Sequence, residues 1–301
     1  MNIKYSLIVV NYECSAYILK MIASLYQYLG ERKDYEVIIV DNSSQHPDFI
    51  DVADGSTVKY IKSERNVGFG AACNIGVKNA LGDILLFVNP DIIFLKNILS
   101  TLDSQLDYLD DGNVLGFNFV DELGNPTYTH GNFPSLKGEL LELFFVHRIS
   151  PKYFNNYAIG KIAPPSDNGL LLDVDYVCGG LFATSRIMYE KTNGFDESFF
   201  LYFEETELMW RFKERGKKIK LLLESFAVHI GSVTTSNNSD FKIINMEIGR
   251  AKFYKLTQKS KSNIVMFFFI RMARLISMAV IKHNLTYIKS IKKIYDISFG
   301  S

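Results

Sequence analysis

The first part of the chain alternates short apolar runs, rich in β-branched residues, with longer stretches whose apolar positions recur at helical spacing. The runs predict strands and the stretches predict helices. In chain order we expect strand 5–10, helix 16–29, strand 36–41, strand 58–61, helix 70–81 and strand 83–88. This order is typical of βαβ units, so the sequence predicts an α/β fold with a mixed, mainly parallel sheet flanked by helices.

The later part of the chain is less regular. Residues 126–170 have no clean period, and Pro134, Pro151, Pro164 and Pro165 interrupt them, so loops are predicted there. Around them we expect helix 95–108, strand 113–119, a hairpin-like turn at 121–125, strands 170–177 and 181–184, a short helix from 185, a helix near 204–215 and strands 219–223 and 226–229. The pattern is helical from about residue 241, which predicts a catalytic or binding domain at 1–240 and a helical extension at 241–301.

Polar residues follow the predicted buried strands at their carboxyl ends, where ligands bind in open α/β sheets. Asn11 and Asp41 end the first two strands, and Asp91 follows Asn89 and Pro90 after strand 83–88. A carboxylate placed there suits Mg²⁺ or Mn²⁺, whose other ligands come from water and a diphosphate. The alternative is a plain turn with a solvated aspartate.

Three weaker patterns add candidate chemistry. Gly68 and Gly70 precede a helix, which favours either an anion at the helix N-terminus or a simple connection. Glu204 and Glu205 open a helix, where they either complement the helix dipole or include a general base whose pKa is raised by crowding. His229, at a strand end, is either a structural residue or a ligand.

Composition narrows the class of protein. With 48% apolar and 22% charged residues the chain is an ordinary globular one, which excludes a collagen-like, disordered or disulfide-dense protein. Cys14, Cys73 and Cys178 form no C-x-x-C pair and are expected to be reduced core thiols. The N-terminal apolar run is too short for a secretion signal. We therefore expect a cytoplasmic location.

The formal net charge of zero conceals two opposite regions. Residues 1–249 carry 22 basic and 32 acidic side chains, whereas residues 250–295 carry 11 basic and no acidic ones. A basic, apolar helical segment predicts contact with an anionic membrane surface; packing on the acidic domain, or a homodimer, is the alternative. Arg271 and Arg274, near the centre of the apolar stretch 264–281, disfavour a membrane span. So much interleaved apolar surface also argues against nucleic acid as a partner.

Eight short motifs follow one another along about residues 3–235. They are Ser6–Tyr12, Ile38–Ser44, Asn66–Gly70, Leu86–Asp91, Cys178–Gly180, Gly194–Glu197, Tyr202–Glu205 and His229–Ser232. Taken in this order, they resemble the motifs of the inverting family-2 glycosyltransferases of the GT-A (Rossmann-like) fold, and most closely those of their rhamnosyltransferase branch.

The resemblance implies a role for each matching residue. Asp91 would hold Mg²⁺ or Mn²⁺ on the donor diphosphate, and His229 would complete the metal or pyrophosphate site. Glu205 aligns with the catalytic base, where the family mostly has Asp, and Glu204 is its immediate alternative. The nucleotide-sugar site would comprise Val10, Asn11, Asp41, Asn66, Gly68, Asn89 and Gly180.

The implied function is metal-dependent, inverting sugar transfer, with L-rhamnose from dTDP-rhamnose as the first choice of donor and UDP-hexoses next. The implied acceptor is a glycan or a lipid-linked sugar of bacterial cell-surface polysaccharide such as O-antigen, at the inner face of the cell membrane. A nucleotidyltransferase is disfavoured, because residues 11–15 lack the glycine- and lysine-rich loop it would need. A non-catalytic nucleotide-sugar-binding protein stays open.

Overall fold

The computed structural model describes residues 3–43, 57–163, 170–231 and 239–300. Ser44, Pro164, Pro165 and Ser232, which the sequence analysis included in motifs or loops, lie outside the described residues.

Twelve strands and twelve helices are assigned within the described residues. The strands are β1 (Tyr5–Asn11), β2 (Tyr35–Asp41), β3 (Val58–Lys62), β4 (Ile84–Val88), β5 (Ile92–Phe94), β6 (Val114–Val120), β7 (Tyr128–Gly131), β8 (Lys161–Ile162), β9 (Leu171–Asp173), β10 (Tyr176–Val177), β11 (Leu181–Ser185) and β12 (Ile219–His229). The helices are α1 (Ser15–Leu29), α2 (Phe69–Lys78), α3 (Ile98–Ser104), α4 (Leu106–Asp110), α5 (Leu136–Leu143), α6 (Val146–Ile149), α7 (Pro151–Asn155), α8 (Arg186–Lys191), α9 (Glu204–Glu214), α10 (Ser239–Thr257), α11 (Lys261–Lys282) and α12 (Thr286–Phe299).

The central sheet has the order β3-β2-β1-β4-β11-β6-β12-β5, with β9 also paired to β12. Strands β3, β2, β1 and β4 are parallel, whereas β11 runs antiparallel to both β4 and β6. Every residue of β1, β2 and β4 is buried, because helices cover both faces of this part of the sheet. The predicted mixed α/β sheet is confirmed.

Two apolar cores fill the two sides of the sheet. On one side the odd residues of β1 pack with α1, β5 and α3; on the other the even residues pack with α2, β10 and α9. This alternation follows from the two-residue side-chain period of a strand. Because β1 and β4 are parallel neighbours, their carboxyl ends lie at the same edge of the sheet.

The structure corrects several expected boundaries. Helix 95–108 is two short helices, α3 and α4, preceded by the unpredicted edge strand β5. Predicted strand 170–177 is divided between β9 in the main sheet and β10 in a separate three-stranded sheet, while predicted strands 219–223 and 226–229 are one strand, β12, with irregular register near Ser225. The stretch predicted as loops, 126–170, contains two strands and three helices among its described residues. Of the cysteines, Cys14 and Cys73 are buried as expected, but Cys178 is half-buried.

The C-terminal helices α10, α11 and α12 share a small apolar core that includes Tyr254, Phe267 and Leu275 and reaches Leu136 of α5. Beside this core lies a buried cluster of charges, which we call the arginine–glutamate network: Glu139, Glu142, Glu247, Arg250 and Arg271. Arg271 contacts Glu247 through Nη2–Oε1 (2.5 Å) and Nε–Oε2 (2.8 Å), and Glu142 through Nη1–Oε2 (2.7 Å). Arg250 Nη1 lies 2.9 Å from Glu139 Oε1.

The side chain of Arg271 is therefore buried inside the protein, where it pairs with glutamates of the acidic part of the chain. One helix among the described residues, α11, is long and apolar enough to cross a membrane, judged by length and composition alone. Of its most apolar 18-residue stretch, 33% is buried inside the protein.

Candidate active site

A cleft of about 500 Å³ opens at the carboxyl ends of β1 and β4, between the start of α2, the loop before α9 and the first turn of α10. Most residues chosen from the sequence line this cleft, although they come from positions up to 219 residues apart. They are Val10, Asn66, Gly68, Asn89, Asp91, Gly180, Glu204, Glu205 and His229. Asn11 and Asp41 are not among the lining residues.

Asn11 and Asp41 lie fully buried behind the cleft and bind each other. Asn11 Nδ2 donates to Asp41 Oδ1 (2.7 Å), and Tyr60 and Lys62 donate to Asp41 Oδ2 (2.7 and 2.8 Å). Burial opposes ionisation of Asp41, but the donors Lys62, Tyr60 and Ser43 hold the pKa of its carboxyl below the ordinary value. Asp41 is therefore a charged, fully bonded residue that fixes the ends of β1, β2 and β3.

The loop before α2 closes one side of the cleft. Asn66 Oδ1 accepts from the N–H of Gly68, and Gly68 adopts φ +89°, a conformation that favours glycine. A Cβ at Gly68 would lie 2.4 Å from the carbonyl oxygen of Phe200, and the N–H of Phe69 donates to that oxygen (3.1 Å). Gly68 thus permits the close approach of this loop to the aromatic loop before α9.

Asp91 and His229 meet on the opposite side of the cleft because β5 pairs with β12 so that Ile92 faces His229. His229 Nε2 lies 3.3 Å from Asp91 Oδ1, and Asp91 Oδ2 accepts from the N–H of Gly231 (3.0 Å). Phe119 packs edge-on against the histidine ring. Both side chains are mostly buried, and their orientations are fixed by neighbours.

These two residues fit a divalent cation as a two-ligand site. Adjacent corners of an octahedron with ligands at about 2.0–2.1 Å lie about 3 Å apart, close to the observed separation of Nε2 and Oδ1. The described residues contain no group of three or more His, Cys, Asp or Glu side chains that could hold a metal ion. A cation bound here would take its other ligands from water and a substrate phosphate, as Mg²⁺ commonly does.

Glu204 and Glu205 begin α9 at the wall of the cleft. Glu204 is buried, Glu205 is half-buried, and Oε2 of each has no hydrogen-bond partner among the described residues. Burial and then the charge of Glu205 raise the pKa of Glu204 well above its ordinary value. Burial also raises the pKa of Glu205, although backbone N–H donors, including that of Gly179, oppose the shift. A carboxylate with a raised pKa is suited to accept a proton near neutral pH.

Two adjacent glycines connect the carboxylates with the Asp91–His229 pair. A Cβ at Gly179 would lie 3.6 Å from Cβ of Glu205, and one at Gly180 would lie 3.6 Å from both Asn89 Nδ2 and His229 Cε1. The carbonyl of Gly180 accepts from the N–H of Asn89 (2.8 Å). Glu205, the candidate proton acceptor, and the candidate metal ligands therefore lie on either side of two residues of backbone that carry no side chain.

The turn that presents Glu204 is strained and is supported from the C-terminal helices. Tyr202 and Phe203 both have positive φ (+68° and +71°), which is uncommon for non-glycine residues and is often found at functional sites. Gly249 of α10 lies against this turn, since a Cβ there would approach Tyr202 O to 2.5 Å and the Phe203 ring to 3.0 Å. The ring of Phe203 also packs with Phe253. Helix α10 thus helps to hold the turn.

Other lining residues are not among the site residues predicted from the sequence, although several lie within its motifs: Tyr12, Asn42, Phe69, Pro90, Cys178, Gly179, Phe200, Leu201, Tyr202, Phe241 and Lys242. Most of them neighbour a predicted residue, and this adjacency was a usable signal. Phe241 and Lys242 were not foreseeable in this way, because they belong to the predicted extension and follow a stretch without a motif. The cleft is therefore lined from both sides of the boundary expected at residue 240.

A known protein family matches the part of the chain that forms most of the central sheet. The family described as Glycosyl transferase family 2 matches residues 6–164, more than half of the chain. The chain belongs to this family. Glu204, Glu205 and His229 lie beyond the matched residues, so their assignment depends on the geometry of the cleft. The family resemblance inferred from the motifs is confirmed.

The chain is similar to two glycosyltransferases that are named for the sugar they transfer or the class of sugar. The low-salt glycan biosynthesis hexosyltransferase Agl10 of Haloferax volcanii is 24% identical over 232 residues, which are 74% of this chain and 66% of that protein. The rhamnosyltransferase WbbL of Escherichia coli K12 is 24% identical over 240 residues, 74% of this chain and 82% of that protein. The chain thus spans slightly less than two thirds of the length of Agl10.

Solved glycosyltransferase structures share the fold. GalNAc-T7 with UDP, GalNAc and Mn²⁺ superposes with a TM-score of 0.62 at 14% identity, over 99% of this chain and 58% of that one. TarS 1–349 of S. aureus with UDP-GlcNAc gives a TM-score of 0.50 at 15% identity, over 98% of this chain and 90% of that one. The likeness confirms the predicted GT-A fold.

Proposed function

We propose that the protein is a metal-dependent, inverting glycosyltransferase that moves a sugar from a nucleoside diphosphate sugar to an acceptor hydroxyl. The observation that carries this proposal is the placement of Glu205 and the Asp91–His229 pair on either side of Gly179 and Gly180. A direct displacement at a sugar carbon needs a proton acceptor on one side and stabilisation of a leaving diphosphate on the other. The cleft offers both within one wall.

In this mechanism Glu205 accepts the proton of the acceptor hydroxyl as its oxygen forms a bond to the anomeric carbon. The bond from that carbon to the diphosphate oxygen breaks with its electron pair leaving on the diphosphate, and one displacement inverts the centre. The raised pKa of Glu205 makes it a stronger base, and Oε2 is free of partners among the described residues to take the proton. Glu204 lies deeper in the wall, where burial and the charge of Glu205 raise the pKa of its carboxyl well above the ordinary value.

Asp91 and His229 would hold the Mg²⁺ or Mn²⁺ ion, with Asn89 as their neighbour. When bound, the cation would supply Lewis-acid stabilisation of the charge on the leaving diphosphate. The hydrogen bond from the N–H of Gly231 to Asp91 Oδ2 leaves Oδ1 on the side of His229 for that task.

For the donor we propose dTDP-L-rhamnose, supported by the rhamnosyltransferase relative, and a UDP-hexose as the alternative, supported by the hexosyltransferase relative and by UDP in the solved structures. A thermal-shift screen of nucleotide sugars with Mn²⁺ or EDTA tests this choice, because a ligand that binds only the folded state raises its stability. We expect one class of donor to raise Tm with Mn²⁺, and Asp91→Ala to remove most of the difference between Mn²⁺ and EDTA. No shift with any dTDP- or UDP-sugar would contradict the proposal.

For the acceptor we propose a lipid-linked sugar of a cell-surface polysaccharide such as O-antigen, reached at the inner face of the cell membrane. Helix α11 supports this, because it exposes a stripe of apolar side chains at helical spacing without an intervening charge: Val265, Phe269, Ile276 and Val280. Exposed lysines lie at the ends of α11 and along α12: Lys259, Lys261, Lys282, Lys289, Lys292 and Lys293. Such a face suits an anionic bilayer surface.

Flotation with vesicles of phosphatidylglycerol and phosphatidylethanolamine tests the membrane proposal in the full-length protein. We expect the protein to float, and Phe269→Glu with Val280→Glu to keep most of it in the soluble fraction. Leu123→Glu is the matched control, because Leu123 is an equally apolar, 86% exposed residue on the distant 121–125 turn. Equal flotation of all three proteins would contradict the proposed face, and a dimer broken by the double variant would assign the stripe to self-association instead.

A further inference from the structure

The charges that line the cleft are strongly unequal. Asp91, Glu204 and Glu205 contribute three carboxyl groups, whereas Lys242 is the one lysine or arginine among the described lining residues. A nucleoside diphosphate adds further negative charge at the same place. A divalent cation on Asp91 and His229 offsets part of this charge, and the proposed mechanism uses no other positive group. Lys242 is therefore a cationic side chain that lines the cleft and has no role in the mechanism proposed so far.

Helix α10 fixes the position of Lys242. The residue lies in the first turn of this 19-residue helix and is half-buried. The preceding Phe241 packs edge-on against Phe200 at the rim of the cleft, with ring centroids 6.3 Å apart. The carbonyl of Phe200 in turn accepts from Phe69 at the start of α2. The first turn of α10 thus contacts the loop before α9, and this loop in turn is hydrogen-bonded to the start of α2.

Lys242 has no salt-bridge partner within the described part of the chain. The neighbouring acid does not neutralise it, because Asp240 accepts from Asn284 Nδ2 (3.3 Å) and so faces α12. A lysine in a folded cleft without a carboxylate partner is a ready counter-charge for a phosphate.

We propose that Lys242 binds the diphosphate of the nucleotide-sugar donor and stabilises the charge that gathers on it as the sugar leaves. This inference rests on the proposed glycosyltransferase function and adds a residue from the C-terminal helices to its binding site. It also gives those helices a role in the reaction: α10 supplies the cation and, through Gly249, supports the turn that carries Glu204. A lipid-linked acceptor also carries phosphate, so the test separates the two sources.

The test measures binding by calorimetry in the full-length protein with Mn²⁺, using dTDP, UDP, dTMP and UMP as probes. A charge-assisted hydrogen bond contributes about 1.5–3 kcal/mol, or roughly 10- to 100-fold in affinity. We expect Lys242→Gln to lower the affinity for the nucleoside diphosphate that binds by about 10-fold or more, and the affinity for the corresponding monophosphate by clearly less. Lys242→Arg, which keeps the charge, should restore most of the affinity. Lys191→Gln, at an exposed lysine that ends α8 and does not line the cleft, is the control for net charge and should change neither.

The outcomes separate this inference from the proposed function. If the wild-type protein binds neither dTDP nor UDP, the proposed function fails and the inference fails with it. If the wild-type protein binds one of them and Lys242→Gln binds it equally well, the inference alone is overturned. A variant that loses only apparent affinity for a phosphorylated acceptor, with donor affinity intact, also overturns it and assigns Lys242 to the acceptor.

Discussion

The protein buries two clusters of glutamates that differ in their partners. In the cleft, Glu204 and Glu205 stand side by side, and each leaves an oxygen without a partner among the described residues. In the arginine–glutamate network, Glu139, Glu142 and Glu247 contact Arg250 or Arg271 at 2.5–3.2 Å. The two clusters have the same residue type and similar burial, so the difference between them comes from the neighbouring charges.

The pKa directions follow from this difference. Burial opposes ionisation in both clusters. In the network Arg250 and Arg271 overcome it at Glu142, whose pKa is lowered to about 2, and at Glu247, whose pKa is also lowered, whereas burial keeps the pKa of Glu139 raised. Among the described residues that line the cleft no arginine opposes burial, and the pKa values of Glu204 and Glu205 are both raised. Glu142 and Glu247 therefore remain charged and hold helices together, whereas the raised pKa values of Glu204 and Glu205 suit the exchange of a proton near neutral pH.

The largest expected effect comes from breaking the network at Arg271. Arg271→Ala leaves Glu142 and Glu247 buried without their main counter-charge, and removal of one partner from a buried ion pair costs about 3–5 kcal/mol. We expect urea denaturation to show a loss of this size. Lys282→Ala, an exposed lysine at the end of the same helix, should change the free energy of unfolding by less than about 0.5 kcal/mol. A comparable small loss in both variants would contradict a structural role for the network.

A smaller effect is expected where the C-terminal helices touch the catalytic turn. Gly249→Ala places a methyl group against Tyr202 O and Phe203, so the turn that precedes Glu204 must shift. We expect kcat to fall about 10-fold with a donor KM within about 2-fold, since misplacement by a fraction of an ångström impairs a positioned base. In an unobstructed helix the same change would stabilise the protein by about 1 kcal/mol. A gain in stability with unchanged kcat would therefore refute this contact.

The smallest effect concerns stability against pH. Because the pKa of folded Glu204 is raised, the wild-type protein loses stability as pH rises above the ordinary pKa of Glu, about 4.3. Glu204→Gln removes this cost. We therefore expect the variant to be more stable than wild type at pH 7 and nearly equal to it at pH 4.

Glu142→Gln should behave in the opposite way, because the pKa of Glu142 is lowered. Its contribution to stability is present above about pH 4.3 and is lost as pH falls toward 2. The variant should therefore be less stable than wild type at pH 7 and approach it near pH 2. Thermal unfolding of both variants across this range checks the two signs, and equal signs would contradict the comparison of the clusters.

The sequence predicted the cleft better than the network. The candidate residues Asn89, Asp91 and His229 end apolar strands, and strand ends of a parallel sheet meet at one edge, so local pattern was enough to bring them together. Asn11 and Asp41 also end strands, yet they face each other in the interior. Which way a side chain points at a strand end depends on donors from other strands, here Tyr60 and Lys62, and no local pattern contains that information.

The network and the middle of the chain were missed for related reasons. Glu139 and Arg271 are 132 residues apart, and nothing in the period of either segment indicates that they meet. Helix α5 is only eight residues long, with Ser135 as its N-terminal cap, and lies among prolines that favoured loops. Strand β5 has three residues and exists because β12 pairs with it. Short elements stabilised by tertiary contacts leave little periodic signal.

The proposed mechanism depends most on Glu205 as the general base. The most direct measurement compares nucleoside diphosphate release by wild type and Glu205→Gln, with the best donor from the thermal-shift screen, Mn²⁺ and an acceptor. We predict that the variant loses about 10³-fold or more in kcat, in the range of a lost general base, while donor affinity stays within about 2-fold. A variant that keeps more than a tenth of wild-type turnover would contradict the assignment of the unpaired carboxylates to the chemistry.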